Sequence, residues 1–151
     1  MIRKVLKGIF LYYFMSYEFL EHTADVKFRA KGSTVGEMFS FAADAMNEVI
    51  RGDIKIIEQR AVTFDVKGES FEELLYSFLE EFLFLLDAED FLVSSVKEIS
   101  VDKETFELKA VVMGDSAENY KFTNDVKAVT YNEMYVKEKD GEFVCEVVLD
   151  V

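Results

Sequence analysis

The 151-residue sequence has no proline and no tryptophan, one cysteine and one histidine. Without proline there is no proline-rich linker, and no repeat or low-complexity segment divides the chain. A single cysteine excludes a disulfide scaffold and any Cys-x-x-Cys metal or redox motif. A single histidine excludes multi-histidine metal sites and leaves little room for histidine-based catalysis. The seven glycines are scattered, so no phosphate-binding P-loop, dinucleotide Gly-x-Gly-x-x-Gly or Gly-x-Ser-x-Gly nucleophile elbow can be assembled. Positive charge is also scarce: 17 Lys and Arg face 30 Asp and Glu, giving a net charge of −13. A protein that coats nucleic acid by neutralising phosphates should be basic. Direct, strong nucleic-acid binding is therefore not expected, and an acidic surface suits metal ions or a basic protein partner. Half of the residues are apolar, enough for one domain with a real core rather than a disordered chain.

The first 14 residues depart from the rest. They carry three positive charges and no acid, leaving 14 basic against 30 acidic groups, or −16, on residues 15–151. The apolar run from Ile9 to Met15 is too short for a membrane helix, which needs about 20 residues. It also lacks the small-x-small cleavage site of a signal peptide. Met15 is the expected start, with residues 1–14 a non-native or disordered extension; the alternative is an N-terminal helix docked on the body. No membrane association is expected.

From Tyr17 the pattern predicts an α+β domain, an antiparallel, sandwich-like sheet assembly with two packed helices. Short strands are expected at 17–20 and 24–31, where Val26, Phe28 and Ala30 alternate with Lys27, Arg29 and Lys31. Ser33 is positioned to cap a helix reaching about Ile50, with an apolar stripe from Val35 through Met38, Phe39, Ala42 and Met46. A strand is expected over 55–66. Ser70 and Glu73 form a capping box before a second, nearly all-apolar helix to about Leu86, the expected core helix. Its aromatics read as core rather than as a nucleotide platform, and Glu72-Glu73 and Glu80-Glu81 as its solvated face. Strands are expected near 92–101, 104–114, 118–123, 131–138 and 142–150. Asp102-Lys103-Glu104 and Lys139-Asp140-Gly141-Glu142 read as hairpin turns.

Cys145, between apolar neighbours, reads as a buried filler, and His22 alone as a structural histidine. Three polar islands remain: Glu21-His22-Thr23-Ala24-Asp25 between two strands, Asn124 to Tyr131 entering a strand, and the end, Leu149-Asp150-Val151. Asp150 with the carboxylate of Val151 makes an oxygen-rich locus. With a third carboxylate it would suit Ca²⁺ or Mg²⁺. On the pattern alone a frayed acidic terminus is the favoured reading over a metal site.

Glu21-His22-Thr23-Ala24-Asp25 before a strand resembles the opening motif of the archease family. Lys127-Ala128-Val129-Thr130-Tyr131 resembles its second motif, and Phe143 to Val151 its last strand. The likeness spans residues 16–151. It implies an accessory protein, not an enzyme: a cytoplasmic partner of the RtcB-type RNA ligase of tRNA splicing and RNA repair. Such a protein promotes guanylylation of the ligase and its multiple turnover, meeting GTP or ATP only through the ligase. The resemblance further implies a divalent metal, calcium foremost with Mg²⁺ or Mn²⁺ as alternatives, on Asp25, Asp150 and the carboxylate of Val151. It marks Lys127 as functional, and the motifs add Glu21, His22 and Thr130. Where many archeases have His after Thr-Tyr, this chain has Asn132. The other function classes in view are a general chaperone or adaptor for nucleic-acid enzymes and a stand-alone metal-dependent phosphohydrolase.

Overall fold

The computed structural model describes residues 16–151, so the expectation for residues 1–14 lies outside the described residues. The elements run β1 (Ser16–Leu20), β2 (Val26–Gly32), α1 (Val35–Arg51), β3 (Arg60–Lys67), α2 (Phe71–Glu89), β4 (Phe91–Asp102), β5 (Glu107–Ser116), β6 (Ala128–Lys139) and β7 (Glu142–Asp150). All strand pairs are antiparallel, in one sheet of order β1-β2-β7-β6 and another of order β3-β5-β4. Both helices pack against strands of both sheets, so one hydrophobic core joins the two sheets and the helices. The α+β, two-helix reading holds.

The helices form for the reasons their sequences give. The apolar stripe of α1 is buried at Val35, Met38, Phe39, Ala42, Ala43, Met46 and Ile50. In α2, Leu74, Leu75, Phe78, Leu79, Phe82, Leu83 and Leu85 are buried, and Phe78 packs against Phe39, Phe64 and Phe82. These aromatics are core. Ser70 caps α2 by accepting from the Glu73 N–H at 3.1 Å. The cap of α1 is Thr34, not Ser33: Thr34 Oγ1 accepts from the Glu37 N–H, while the Ser33 N–H and hydroxyl donate to the Glu37 carboxylate. The reciprocal pattern of a capping box is therefore shared by two neighbouring residues.

Three strand expectations shift. The strand expected at 55–66 begins only at Arg60, because residues 53–59 are tied down by other groups: Arg51 donates to the Ile54 carbonyl and the Ile57 N–H donates to Tyr120 Oη. Residues 118–123 do not form a strand. Asp115 accepts from the Ser116 N–H, the Asn119 amide and the Tyr120 hydroxyl. This local acceptor draws Ala117–Asn119 into a single 3₁₀ turn. The β4–β5 hairpin turn is longer than Asp102-Lys103-Glu104, because Asp102 Oδ1 accepts from both the Glu104 and Thr105 N–H groups and delays the return strand to Glu107. The Asp140-Gly141 turn is as expected, with φ of 54° and 79°, the left-handed pair that a two-residue hairpin requires.

The acidic face of α2 is the clearest departure. Glu72 and Glu80 are half-buried rather than solvated. Glu72 accepts the Val136 N–H at 3.1 Å and Glu80 the Val129 N–H at 3.5 Å. Between them Tyr76 stacks on Tyr131, centroids 4.2 Å apart and planes 10° from parallel. The helix thus covers the free edge of β6, a strand edge that would otherwise present unpaired N–H groups. Among the described residues, no helix is long and apolar enough to cross a membrane.

Candidate functional site

Strand registry builds the site. On the four-stranded sheet, directly opposed residues share a face. Val26, Leu149 and Val129 oppose one another on the core side, as do Ala30, Cys145 and Val136. Cys145 is fully buried there, and burial pushes its thiol up to about 12. It is core filler, as read from sequence.

The opposite, outer face is polar and falls into rows. One row sets Glu18, Arg29, Glu146 and Tyr135 side by side; the next sets Lys27, Val148 and Thr130. Ala128 opposes Asp150, and Val26 opposes Leu149, so Asp25, in the connection just before β2, lies at the same sheet end as Asp150. Asp25 and Asp150 form the end row of the sheet, Asp150 on the last residue of β7 and Asp25 in the connection just before β2. The Lys127 N–H donates to the Asp150 carbonyl at 2.7 Å, which fixes the second polar island to the third. The fold thus brings all three islands to one sheet end.

Just inside that end the charges are matched. Arg29 Nε lies 2.9 Å from Glu146 Oε2, Lys27 Nζ lies 3.3 Å from Glu146 Oε1, and the Tyr135 hydroxyl donates to Glu146 at 2.8 Å. The Glu146 side chain is only 8% exposed. Burial opposes its ionisation, but the three donors outweigh it and hold the carboxyl below the ordinary glutamate range. At the end row the matching stops: among the described residues no ion pair or side-chain hydrogen bond engages Asp150, Glu21 or Lys127.

The remaining sequence-selected residues have distinct surroundings. Thr130 Oγ1 donates to the Val148 carbonyl at 3.0 Å and accepts the Asn132 N–H at 3.2 Å, so its hydroxyl opens an irregular stretch of β6. There, the register passes from Thr130↔Val148 directly to Tyr135↔Glu146. Residues 131–134 bulge out of the ladder, with Glu133 at φ 57°. From the bulge Glu133 reaches across β7: Oε1 lies 2.8 Å from Lys27 Nζ and Oε2 lies 3.2 Å from His22 Nε2. The expectation that His22 is a satisfied structural histidine fails on one side of the ring. Its Nδ1 is buried with no hydrogen-bond partner and lies 3.7 Å from Asp25 Oδ2.

Sequence reasoning did not find Glu133, Glu146, Lys27 or Arg29. The signal for Glu146 was present: it is the lone charge within the apolar run Val144–Leu149, opposite a strand that alternates Lys27 and Arg29. No such signal marks Glu133, which reaches His22 only because of the bulge.

As a cation site, the end row offers oxygen donors of the kind hard divalent ions take. Among the described residues no group of three or more His, Cys, Asp or Glu side chains is placed to hold a metal, so Asp25 and Asp150 need a further donor. His22 Nδ1, buried and without a hydrogen-bond partner, lies beside Asp25 at this end.

The model of the archease protein family (MTH1598/TM1083) matches residues 17–151. The chain is 35% identical over 139 residues to protein archease of Methanosarcina mazei, covering 89% of this chain and 95% of that one. It is 34% identical over 139 residues to protein archease of Pyrococcus furiosus, covering 89% and 98%. Its fold matches the solution structure of Methanobacterium thermoautotrophicum protein 1598 with a TM-score of 0.76 at 30% identity, covering 90% of this chain and 99% of that one. It also matches the crystal structure of a Thermotoga maritima protein described as an archease and possible chaperone, with a TM-score of 0.62 at 19% identity, covering 87% and 94%. On the family match and these identities, the chain belongs to the archease family.

Proposed function

We propose that this archease is an accessory protein of an RtcB-type RNA ligase, promoting guanylylation of the ligase and its repeated turnover in tRNA splicing and RNA repair. It is not itself the ligase. It acts in the cytoplasm, meets GTP or ATP only through the ligase, and makes no strong nucleic-acid contact of its own. The observation that carries this reading is the convergence of Asp25, Asp150 and the Lys127 backbone at one sheet end, in a chain of this family.

In this reading Asp25, Asp150 and the carboxylate of Val151 hold a divalent cation, calcium foremost and Mg²⁺ or Mn²⁺ otherwise. When bound, the ion supplies positive charge to an otherwise acid-rich tip. The chain's own residues do the rest. Asp150 presents its carboxylate from the end of β7 and Asp25 from the connection just before β2. The Lys127 side chain, exposed beside that row, is free to meet the partner or a phosphate. Glu21 extends the acidic rim on the exposed β1–β2 connection, and Thr130 keeps the second motif bonded to β7. The tip faces the ligase's nucleotide site and favours the arrangement in which the ligase's histidine attacks GTP.

The test is a guanylylation assay with a cognate ligase and limiting amounts of this protein. Wild type should raise the guanylylated fraction and allow many turnovers. Asp25→Ala and Asp150→Ala should return both to the level of ligase alone. Equal stimulation by these variants would overturn the reading. Metal-independent rescue of unrelated enzymes would instead favour a general chaperone, the word attached to the Thermotoga relative. Chelator-sensitive phosphate release by the protein alone would favour a phosphohydrolase.

A further inference from the structure

We infer that the outward face of α2, with the Tyr131 ring stacked on it, is a docking face for an arginine-bearing segment of a protein partner, whose guanidinium covers the open side of Tyr131 between Glu73 and Glu80. Nothing in it requires a metal at the end row.

The charge on α2 is one-sided. Its 19 residues include six Asp and Glu and no Lys or Arg. Among the described residues none of these acids enters an ion pair. On the outer face of the four-stranded sheet, by contrast, Lys27 and Arg29 match Glu133 and Glu146. Glu72 and Glu80 each accept one backbone N–H from β6, but among the described residues no hydrogen bond reaches the Glu73 carboxylate; only its N–H is engaged, by Ser70. Positions 73, 76, 80 and 84 are spaced so that they share one stripe of the helix, and none of the four is among its buried residues. The stripe reads Glu73, Tyr76, Glu80, Phe84.

Tyr131 comes from β6 and lies flat on Tyr76. One side of its ring is therefore covered, yet the residue is 54% exposed, so the other side is open. Phe84, two turns or about 12 Å along the helix from Tyr76, is also exposed. Single exposed rings are ordinary; an open ring face flanked by carboxylates is a setting for a cation, because the face of an aromatic ring is its negative part. Burial against α2 pushes the Tyr131 phenol up, and Glu73, Tyr76 and Glu80 add to it, so both carboxylates act on this ring. The described rings that carry a Lys or Arg are Phe91, Phe143 and Tyr135; Tyr131 carries none. Arginine fits better than lysine, because a planar guanidinium stacks on a ring while its N–H groups reach a carboxylate beside it. A nucleotide fits poorly, since the same carboxylates repel its phosphates. A two-fold contact between copies would set Glu73 and Glu80 against their own equivalents.

The test is calorimetric titration of the purified protein with end-blocked hexa-arginine and hexalysine peptides at physiological ionic strength, for wild type, Tyr131→Ala, Tyr131→Phe and Glu73→Gln. Wild type should bind hexa-arginine about fivefold more tightly than hexalysine. Tyr131→Ala should lose about fivefold for hexa-arginine and less than twofold for hexalysine. Tyr131→Phe, which keeps the ring face, should bind both like wild type. Glu73→Gln, which leaves the stack in place, should lose about threefold for hexa-arginine. Equal changes for the two peptides in Tyr131→Ala, or none, would overturn the inference. Carbon-13 NMR of ring-labelled tyrosine gives a second readout: hexa-arginine should move the Tyr131 and Tyr76 resonances, and shifts confined to other tyrosines would overturn the assignment. Binding of GMP or oligouridylate that Tyr131→Ala abolishes would make the face a nucleobase platform. A dimer in sedimentation equilibrium that Tyr131→Ala dissociates would make a second copy its occupant. Either result would overturn the inference.

Discussion

Glu146 and Asp150 stand four residues apart on the same strand and on the same face, yet their surroundings are opposite. Glu146 is buried and receives Arg29, Lys27 and Tyr135. Asp150 is exposed, lies at the same sheet end as Asp25 and, among the described residues, pairs with no cation. A buried carboxylate must be matched, because an unpaired one would be expensive. A carboxylate exposed at a sheet end, as Asp150 is, is under no such demand. The difference separates two kinds of acid in an acidic protein: one that the fold requires and one that the fold merely positions. Removing the first should cost stability and spare activity; removing the second should do the reverse.

The sharpest break between the two should be functional. Asp25→Ala and Asp150→Ala should lower ligase turnovers to the level without this protein, while the melting temperature measured without metal stays about the same. A large loss of melting temperature in either variant would erase the distinction.

Glu146→Ala should show the reverse pattern. It leaves Lys27 and Arg29 without their shared partner and should destabilise the fold by about 2–3 kcal/mol in urea unfolding. Stimulation per folded molecule should be retained.

Acid should act on the matched acids first. Glu133 and Glu146 are both held below their ordinary value of 4.5 in the folded protein. A depressed carboxyl stabilises the fold above its unfolded pKa, and the contribution is lost as pH falls through the folded one. Stability should therefore decline as pH falls below 4.5, and Glu146→Gln should flatten that decline in a series of urea titrations. An unchanged acid limb in Glu146→Gln would show that Glu146 is not matched as its geometry indicates.

The smallest effect should come from the bulge flank. Tyr131→Ala removes the stack on Tyr76 and should cost about 1 kcal/mol. Because it loosens the segment that carries Glu133, it should also speed hydrogen exchange at Asn132 and Glu133 relative to the flanking strand.

Much of this was legible in the sequence, and the residues explain which parts. The two helices, the Asp140-Gly141 hairpin and the alternation of β2 each rest on neighbours within a few positions. The two islands that meet at Lys127 and Asp150 were marked because polar residues interrupt otherwise strand-like patterns. What escaped depends on distant partners. Glu72 and Glu80 look solvated until the β6 edge lies against them. Residues 131–134 look like plain strand, with no glycine to announce a left-handed residue at Glu133. His22 meets Glu133 across 111 positions of sequence, and nothing local reports that meeting. The 118–123 segment has strand-forming residues, but Asp115 captures its backbone and side chains first.

The central claim is that the outer face divides its acids between fold and site, with the dividing line between Glu146 and Asp150. Titration of wild type, Asp150→Ala and Glu146→Gln with Ca²⁺ tests it most directly. The account predicts one ion bound by wild type and by Glu146→Gln with similar affinity, and none by Asp150→Ala. Binding by Asp150→Ala equal to wild type, or its loss in a folded Glu146→Gln, would contradict it.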